Sequence, residues 1–324
     1  MQNSVTVPQT DPTRLVLVGA GHAHLNVALM LISLDDYHHY SGMVPGYLQG
    51  TYTEEAITVD LAGLAERAGG RFLKAKATGL DPQAQTIQLE DTSPVEYDLV
   101  SFNLGSQAAG ADAETVKQHA VLVKPFSQAT HLRQRIQTFA QEKKERVCHV
   151  SVVGGGAAGF EVSCTLDAVL DQAGQRHHVS LFEASQNILA GYSDGFRSQA
   201  EQILNRKGIA ICTGQRVSGV HSDTVEVEKG SPVPSDLTVW LSGAAASSVF
   251  HHSGLSVDDR GFLLVNEALH SIDAPRVFGV GDCSTLAAYP HTPKAGVYAV
   301  RQGPVLWESL TAVLNGKSLP QYEP

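Results

Sequence analysis

Two short glycine clusters are the residues whose types and spacing most directly imply chemistry. Gly19-Ala-Gly-His-Ala-His24 follows the apolar run Arg14-Leu-Val-Leu-Val18, and Gly154-Gly-Gly-Ala-Ala-Gly159 follows Val150-Ser-Val-Val153. Residues without a Cβ let the backbone turn tightly and approach a phosphate closely. A helix opening directly after such a turn aims unpaired N–H groups and the positive end of its dipole at that phosphate. The pattern implies dinucleotide binding on Gly19 and Gly21, and again on Gly154, Gly156 and Gly159. One such cluster is weak evidence; two, each after a strand-like run, are much stronger. The acid at the end of the second strand of a dinucleotide fold binds ribose hydroxyls. Glu183, which closes Val179-Ser-Leu-Phe-Glu183, stands there in the second repeat. Its carboxylate favours NADH, because it repels the 2′-phosphate of NADPH. The first repeat ends its run Leu31-Ile-Ser33 on Ser33 and offers no acid. His22 and His24 have the spacing of a metal-ligand pair. At a helix start beside a pyrophosphate they read better as backbone contact and packing on the phosphate side, and no metal is expected.

These residues need a scaffold, and the pattern around them supplies one. Strands are expected at residues 14–18, 70–76, 86–89, 95–102, 150–153, 178–182, 210–213, 224–227, 237–241 and 276–280, and helices at 130–143, 160–173, 194–207 and 296–315. Alternating strands and helices argue for an α/β sheet, and continuous apolar runs argue for parallel strands buried on both faces. The chain has 324 residues, 43% of them hydrophobic and 17% charged, which fits about two folded domains. A net charge of −10 argues against nucleic acid as partner. The four cysteines, Cys148, Cys164, Cys212 and Cys283, never form a C-x-x-C pair, so a dithiol motif or thiolate zinc site is not expected. With no signal-peptide core and no long apolar run, a cytoplasmic chain is expected, free or peripheral on a membrane.

The two repeats differ in length. From Gly154 to Glu183 there is room for helix and return strand, whereas from Gly19 to Ser33 there is not. A crossover between parallel strands needs at least about 10–12 residues. The expectation is that about ten residues of helix and loop are missing near residue 27, with only 21–26 left to form helix.

Further stretches match a known superfamily. The chain resembles the pyridine nucleotide-disulfide oxidoreductase type of flavoprotein, with an NADH fold inserted into an FAD fold. Tyr97-Asp-Leu-Val-Ser-Phe-Asn-Leu-Gly-Ser106 resembles the strand and turn that return to FAD, and Thr238-Val-Trp-Leu-Ser-Gly-Ala244 its counterpart in the NADH fold. Ala274-Pro-Arg-Val-Phe-Gly-Val-Gly-Asp282 resembles the second FAD motif, and Leu255–Gly261 with Val265-Asn266 the segment leading into it. Tyr40-Ser-Gly-Met-Val-Pro-Gly46 and His291-Thr-Pro-Lys-Ala-Gly-Val-Tyr-Ala-Val-Arg-Gln-Gly303 narrow this to type II NADH dehydrogenase-like proteins of the kind fused to selenophosphate synthase. Sulfide:quinone oxidoreductases are relatives.

The resemblance implies an α/β fold of two Rossmann-like FAD/NAD(P)-binding domains with three-layer ββα/βαβ character. It divides the chain into an FAD domain at 12–120, an NAD(H) domain at 121–252 and the rest of the FAD domain at 253–324, with a C-terminal segment missing. It implies FAD and NADH as cofactors, a quinone as acceptor, a peripheral membrane contact and a homodimer. Residues carried over to FAD are Gly19, Gly21, His22, Ala23, Ser33, Tyr40, Met43, Gly105, Gly281, Asp282, Gly296 and Val297. Those carried over to NADH are Gly154, Gly156, Gly159, Glu183 and Gly243. Asp282 would hold the ribityl chain, and the helix from Gly296 would face the flavin N1/O2 edge. Met43, Pro45 and Gly46 would lie over the flavin ring. Lys294 beside the flavin and Glu161 beside the nicotinamide are the candidate catalytic groups. His24 stands where the family has a third Gly or Ala, and Gly296-Val297 where type II enzymes carry a quinone-site Ala-Gln pair. Two alternatives stay open: a sulfide- or thiol-oxidising flavoprotein, and a non-catalytic FAD-binding partner module linked to selenium metabolism.

Overall fold

The computed structural model describes residues 14–21, 30–123, 126–142 and 146–324. In chain order the principal elements are β1 (Leu15–Val18), β2 (Met30–Ser33), α1 (Val44–Gln49), β3 (Arg71–Lys74), β4 (Leu99–Phe102), β5 (Ala120–Leu122), α2 (Phe126–Glu142) and β6 (Cys148–Val153). They continue with α3 (Ala157–Gln172), β7 (His177–Glu183), α4 (Asp194–Arg206), β8 (Ala210–Thr213), β9 (Leu237–Trp240), β10 (Val277–Gly279) and α5 (Gly296–Asn315).

The chain forms two compact units. The first comprises the described residues up to Tyr40 with Thr58–Ser106 and Ala245–Pro324; the second comprises Ser41–Ile57 and Gln107–Ala244. Each is built on a five-stranded parallel sheet, ordered β10-β4-β1-β2-β3 in the first and β5-β9-β6-β7-β8 in the second. Their central strands, β1 and β6, are the two apolar runs that precede the glycine clusters. All four residues of β1 are buried, as are five of the six in β6, because a parallel sheet is covered on both faces. Each unit also carries a three-stranded antiparallel sheet. It runs through Ala77–Asp81, Thr86–Leu89 and Val95–Glu96 in the first unit, and through Val217–Val220, Thr224–Val227 and Val233–Pro234 in the second. This is the expected α/β class with a third, antiparallel layer.

In both sheets the strand order reverses beside the central strand, between β1 and β4 and between β6 and β9. Ligands of open α/β sheets bind beyond the carboxyl ends of the strands at such switch points. The glycine clusters sit there.

The compact units differ from the expected boundaries. The second unit begins at Gln107 rather than 121, ends at Ala244 rather than 252, and takes in Ser41–Ile57. Packing decides this. Val44, Tyr47, Leu48 and Ile57 are buried in one cluster with Val150, Val162 and Leu166, while Val116 is buried with Val153, Phe182 and Trp240. Residues 44–49 form a helix, with Pro45 in the first turn, where its missing N–H costs nothing, and Gly50 at φ +81° as the left-handed cap. The chain shortage expected near residue 27 lies outside the described residues, as does all but Gly21 of the short helix expected at 21–26; β2 nonetheless pairs in parallel with β1.

Candidate functional site

In the first unit, β1 runs into Gly19 at φ +85°. A Cβ there would stand 2.5 Å from the Asn103 carbonyl oxygen. Gly21 donates its N–H to that same oxygen over 3.3 Å, and a side chain on Gly21 would overlap the Asn103 amide. Glycine is required at both places by space, and at the first by backbone angle as well. After β4 and Asn103, Gly105 turns at φ +67°, and the Ser106 hydroxyl donates to the Asp282 carboxylate at 3.0 Å. Gly281, also at φ +67°, donates its N–H to the Gln302 side-chain oxygen on α5 at 2.6 Å. Asp282 keeps 9% of its surface exposed and lines a cleft with Gly281, Thr285, Lys294, Tyr298 and Gln302. The N-cap residue of α5, Ala295, has no side chain able to cap it. The first turn of the helix, with Gly296 and Val297 exposed, therefore presents uncompensated backbone dipoles.

Lys294 is turned into the wall of this cleft. Its ammonium donates to the Ser284 carbonyl and to the Thr285 hydroxyl (2.8 Å) and lies 4.2 Å from the centre of the Phe262 ring. Burial disfavours its charge and lowers its pKa to about 8.

The second unit repeats the arrangement. Gly154 follows β6 at φ +116°, where a Cβ would overlap the Leu241 carbonyl, and a Cβ on Gly159 would overlap the Gly154 carbonyl. The third glycine thus lets α3 press against the turn. Gly156, the N-cap of α3, has no side-chain cap, and its Cβ position faces open space. Glu183 closes β7 and accepts the N–H of Gly155 on one carboxylate oxygen and that of Ser185 on the other, both at 2.7 Å. Gly243 is held by a 2.7 Å bond from the Ala109 N–H, while Trp240 Nε1 (2.9 Å) and Ser242 donate to the Ala109 carbonyl. Glu161 lies in the second turn of α3, exposed as a residue, and partial desolvation holds its carboxyl above the ordinary carboxylate range.

The remaining expected site residues are placed as follows. Met43 packs against the buried core of the second unit, and a side chain on Gly46 would strike the Tyr52 ring. Tyr40 is exposed in the first unit. Ser33 ends β2, and its carbonyl accepts the Ala75 N–H. His22 and Ala23 lie outside the described residues. Sequence reasoning missed Asn103, Ser106, Ala109 and Gln302. All but Ala109 fall within quoted motifs, but spacing alone gives no side-chain partner.

The thiols are not set up as nucleophiles. Cys164, Cys212 and Cys283 form no disulfide, and burial raises the pKa of all three. Cys283, 1% exposed, points its Sγ at the carbonyls of Phe102 and Val280, and its pKa is pushed up to about 11. Among the described residues, no group of three or more His, Cys, Asp or Glu side chains could hold a metal ion, and no helix is long and apolar enough to cross a membrane.

The family model of the pyridine nucleotide-disulphide oxidoreductases matches residues 13–303. Among curated proteins, demethylphylloquinone reductase NdbB of Synechocystis sp. is 26% identical over 83% of this chain and 71% of its own length. The chain spans between 51% and 71% of the first three curated relatives it matches. Among solved structures, NDH2 from Plasmodium falciparum in complex with NADH superposes with a TM-score of 0.74 at 19% identity, over 85% of this chain and 65% of that one. The sulfide:quinone oxidoreductase of Aquifex aeolicus superposes with a TM-score of 0.81 at 17% identity, over 94% of this chain and 77% of that one. These likenesses establish the fold.

Proposed function

The chain belongs to the pyridine nucleotide-disulphide oxidoreductase family, and from that premise we propose that it is an FAD-dependent NADH oxidoreductase that passes electrons on to a quinone. The observation that carries this reading is the pair of glycine turns, each at the switch point of its own parallel sheet. One is joined to Glu183; the other has Asp282 close by, through Gly281 and Asn103. The residues present fit a dinucleotide in each unit. Four glycines leave no space for a side chain, while Gly156 opens onto free space at an uncapped helix. The first unit would hold FAD and the second NADH. Relatives named as quinone reductases support the acceptor. The reading includes a peripheral membrane contact, where quinone is met, and a homodimer.

Bound flavin supplies the redox chemistry, accepting hydride from NADH and delivering electrons to the acceptor. The chain's own residues bind, orient and tune. Glu183 uses its remaining lone pairs for the ribose hydroxyls while bracing Gly155. The first turn of α3 offers N–H groups to the NADH pyrophosphate. Asp282, oriented by Ser106, accepts hydrogen bonds from the ribityl hydroxyls. The N-terminal end of α5 would stabilise negative charge at the N1/O2 edge of a flavin bound there. Both Lys294 and Glu161 have their protonation shifted toward neutral pH by desolvation.

The test is an anaerobic titration of the flavin-loaded chain with NADH, NADPH and sulfide, followed by a water-soluble quinone. NADH should bleach the visible flavin band and the quinone should restore it. Bleaching by sulfide and not by NADH would replace this reading with the sulfide-oxidising one. No bleaching by any donor would leave a non-catalytic FAD-binding module. The Aquifex likeness keeps the sulfide reading in view, but a thiol as buried as Cys283 is a poor nucleophile.

A further inference from the structure

We propose that the side-chain amide of Asn103 is a binding group for the dinucleotide on the first glycine turn, donating a hydrogen bond to a phosphate oxygen. The proposal rests on the reading of the first unit as FAD-binding. Asn103 is fixed by its backbone, which donates to the Val18 carbonyl at 2.8 Å and accepts from Gly21. Its side chain is 3% exposed, and among the described residues its Nδ2 has no hydrogen-bond partner. A buried amide donor without an acceptor is disfavoured and calls for an explanation.

The neighbours say what is missing. The amide lies between two cofactor turns: a side chain on Gly21 would overlap it, and one on Gly281 would stand 2.8 Å from its Oδ1. The N–H groups of Gly19, Gly21 and Gly281 are already bonded to Ile32, Asn103 and Gln302, and the unmatched Nδ2 is itself a donor, so the absent partner is an acceptor. The acceptor that a glycine turn of this kind seats is a phosphate. Because the amide is covered, only a group lodged in the turn itself reaches it.

The second unit shows that the fold does not need an amide here. Val18 is in register with Phe102, and Asn103 comes next; Val153 is in register with Trp240, and Leu241 comes next. Leu241 does the same backbone work, its carbonyl excluding a side chain from Gly154 as that of Asn103 does from Gly19. Its side chain is apolar and packs on the core. The polar side chain in the first unit is therefore surplus to the scaffold.

The test uses the full chain, stripped of flavin and titrated with FAD, with the melting temperature of the stripped protein measured alongside. Asn103→Leu keeps the branched shape, with the leucine that the second unit uses at the equivalent position, and removes the donor. It should weaken FAD by about 10- to 100-fold, the range for a hydrogen bond to a charged group, while the stripped protein melts no lower than the parent. Asn103→Asp should weaken FAD further, because it sets a like charge against the phosphate, and the excess should shrink as pH falls. In 31P spectra of bound FAD, the milder Asn103→Ser should displace a pyrophosphate resonance. FAD affinity within threefold of the parent in both Leu and Asp variants would overturn the proposal. So would a loss of affinity matched by a lower melting temperature, or unmoved phosphorus resonances in Asn103→Ser. A parent chain that takes up no FAD would overturn the reading of the unit itself, which is a distinct outcome.

Discussion

Glu183→Gln separates the two jobs assigned to one carboxylate. In the folded chain, each Glu183 oxygen accepts a backbone N–H at 2.7 Å, from Gly155 and from Ser185. Glutamine retains one acceptor and turns an NH2 group toward the other N–H. An unmatched buried donor costs about 1–3 kcal/mol. Glu183 is half-buried, so water repairs part of the loss, and about 1 kcal/mol is the appropriate figure. For a unit of this size that lowers Tm by roughly 2–4 °C. The ribose contact adds a second effect. Replacing a charged acceptor by a neutral one forfeits about 1–1.5 kcal/mol, the gap between charged and neutral hydrogen bonds, so NADH should bind roughly 5- to 12-fold more weakly. NADPH escapes the repulsion of its 2′-phosphate and should gain, so the preference for NADH should fall by more than about tenfold. Anaerobic titration with each nucleotide and differential scanning fluorimetry measure the two effects separately. A lower Tm with unchanged nucleotide preference would refute the ribose role and leave Glu183 as a brace for Gly155. Unchanged values in both would refute the whole argument.

Four further outcomes follow from the same geometry. Asp282→Ala should lose FAD on gel filtration, and a fully loaded yellow variant would contradict its role. Gly159→Ala places a methyl on the Gly154 carbonyl, so α3 must back away; NADH binding should fall by more than about tenfold while flavin content holds, read by absorbance and titration. The Lys294 ammonium has a folded pKa of about 8 against an ordinary 10.5, so the native state pays to keep its charge below pH 8 and is relieved as pH rises from 8 to 10.5. The parent should therefore gain stability relative to Lys294→Met across that window in denaturant titrations, and a constant difference would refute the assignment. Cys283→Ala should leave NADH-driven bleaching within about threefold, since its thiol pKa of about 11 keeps it protonated; loss of bleaching would show thiol chemistry.

Much of the scaffold was legible because buried parallel strands read as continuous apolar runs and the longer helices carry clean periodicity. Thr86–Leu89, Ala210–Thr213, Thr224–Val227 and Gly296–Asn315 fall where the pattern put them. Residues 95–102 split into two short strands, because Tyr97 and Asp98 leave the pairing between them. The resemblance sets residues 41–57 within the domain at 12–120, whereas in the structure they pack with the second compact unit. The Tyr47 ring lies under the Arg133 guanidinium, 4.6 Å away, and its hydroxyl reaches Thr130 on α2. Attachment of that kind depends on which apolar side chains meet, and no local pattern encodes it.

The candidate site divides along the same line. Gly19, Gly154 and Gly281 were legible because a left-handed backbone demands glycine, and Glu183 because strand length fixes where it must fall. Asn103 stood in plain view inside Leu99-Val-Ser-Phe-Asn-Leu-Gly105, a polar residue closing a buried run. What sequence could not supply was its lack of a partner among the described residues, which is a property of everything around it. An asparagine bonded to its own fold would be a structural feature of the first unit. An asparagine whose donor is buried and unmatched among the described residues, where the second unit manages with leucine, points to a ligand atom that completes it. The two units thus build one turn twice, and the asparagine that stands where the second unit has Leu241 is where cofactor recognition in the first unit is most open to test.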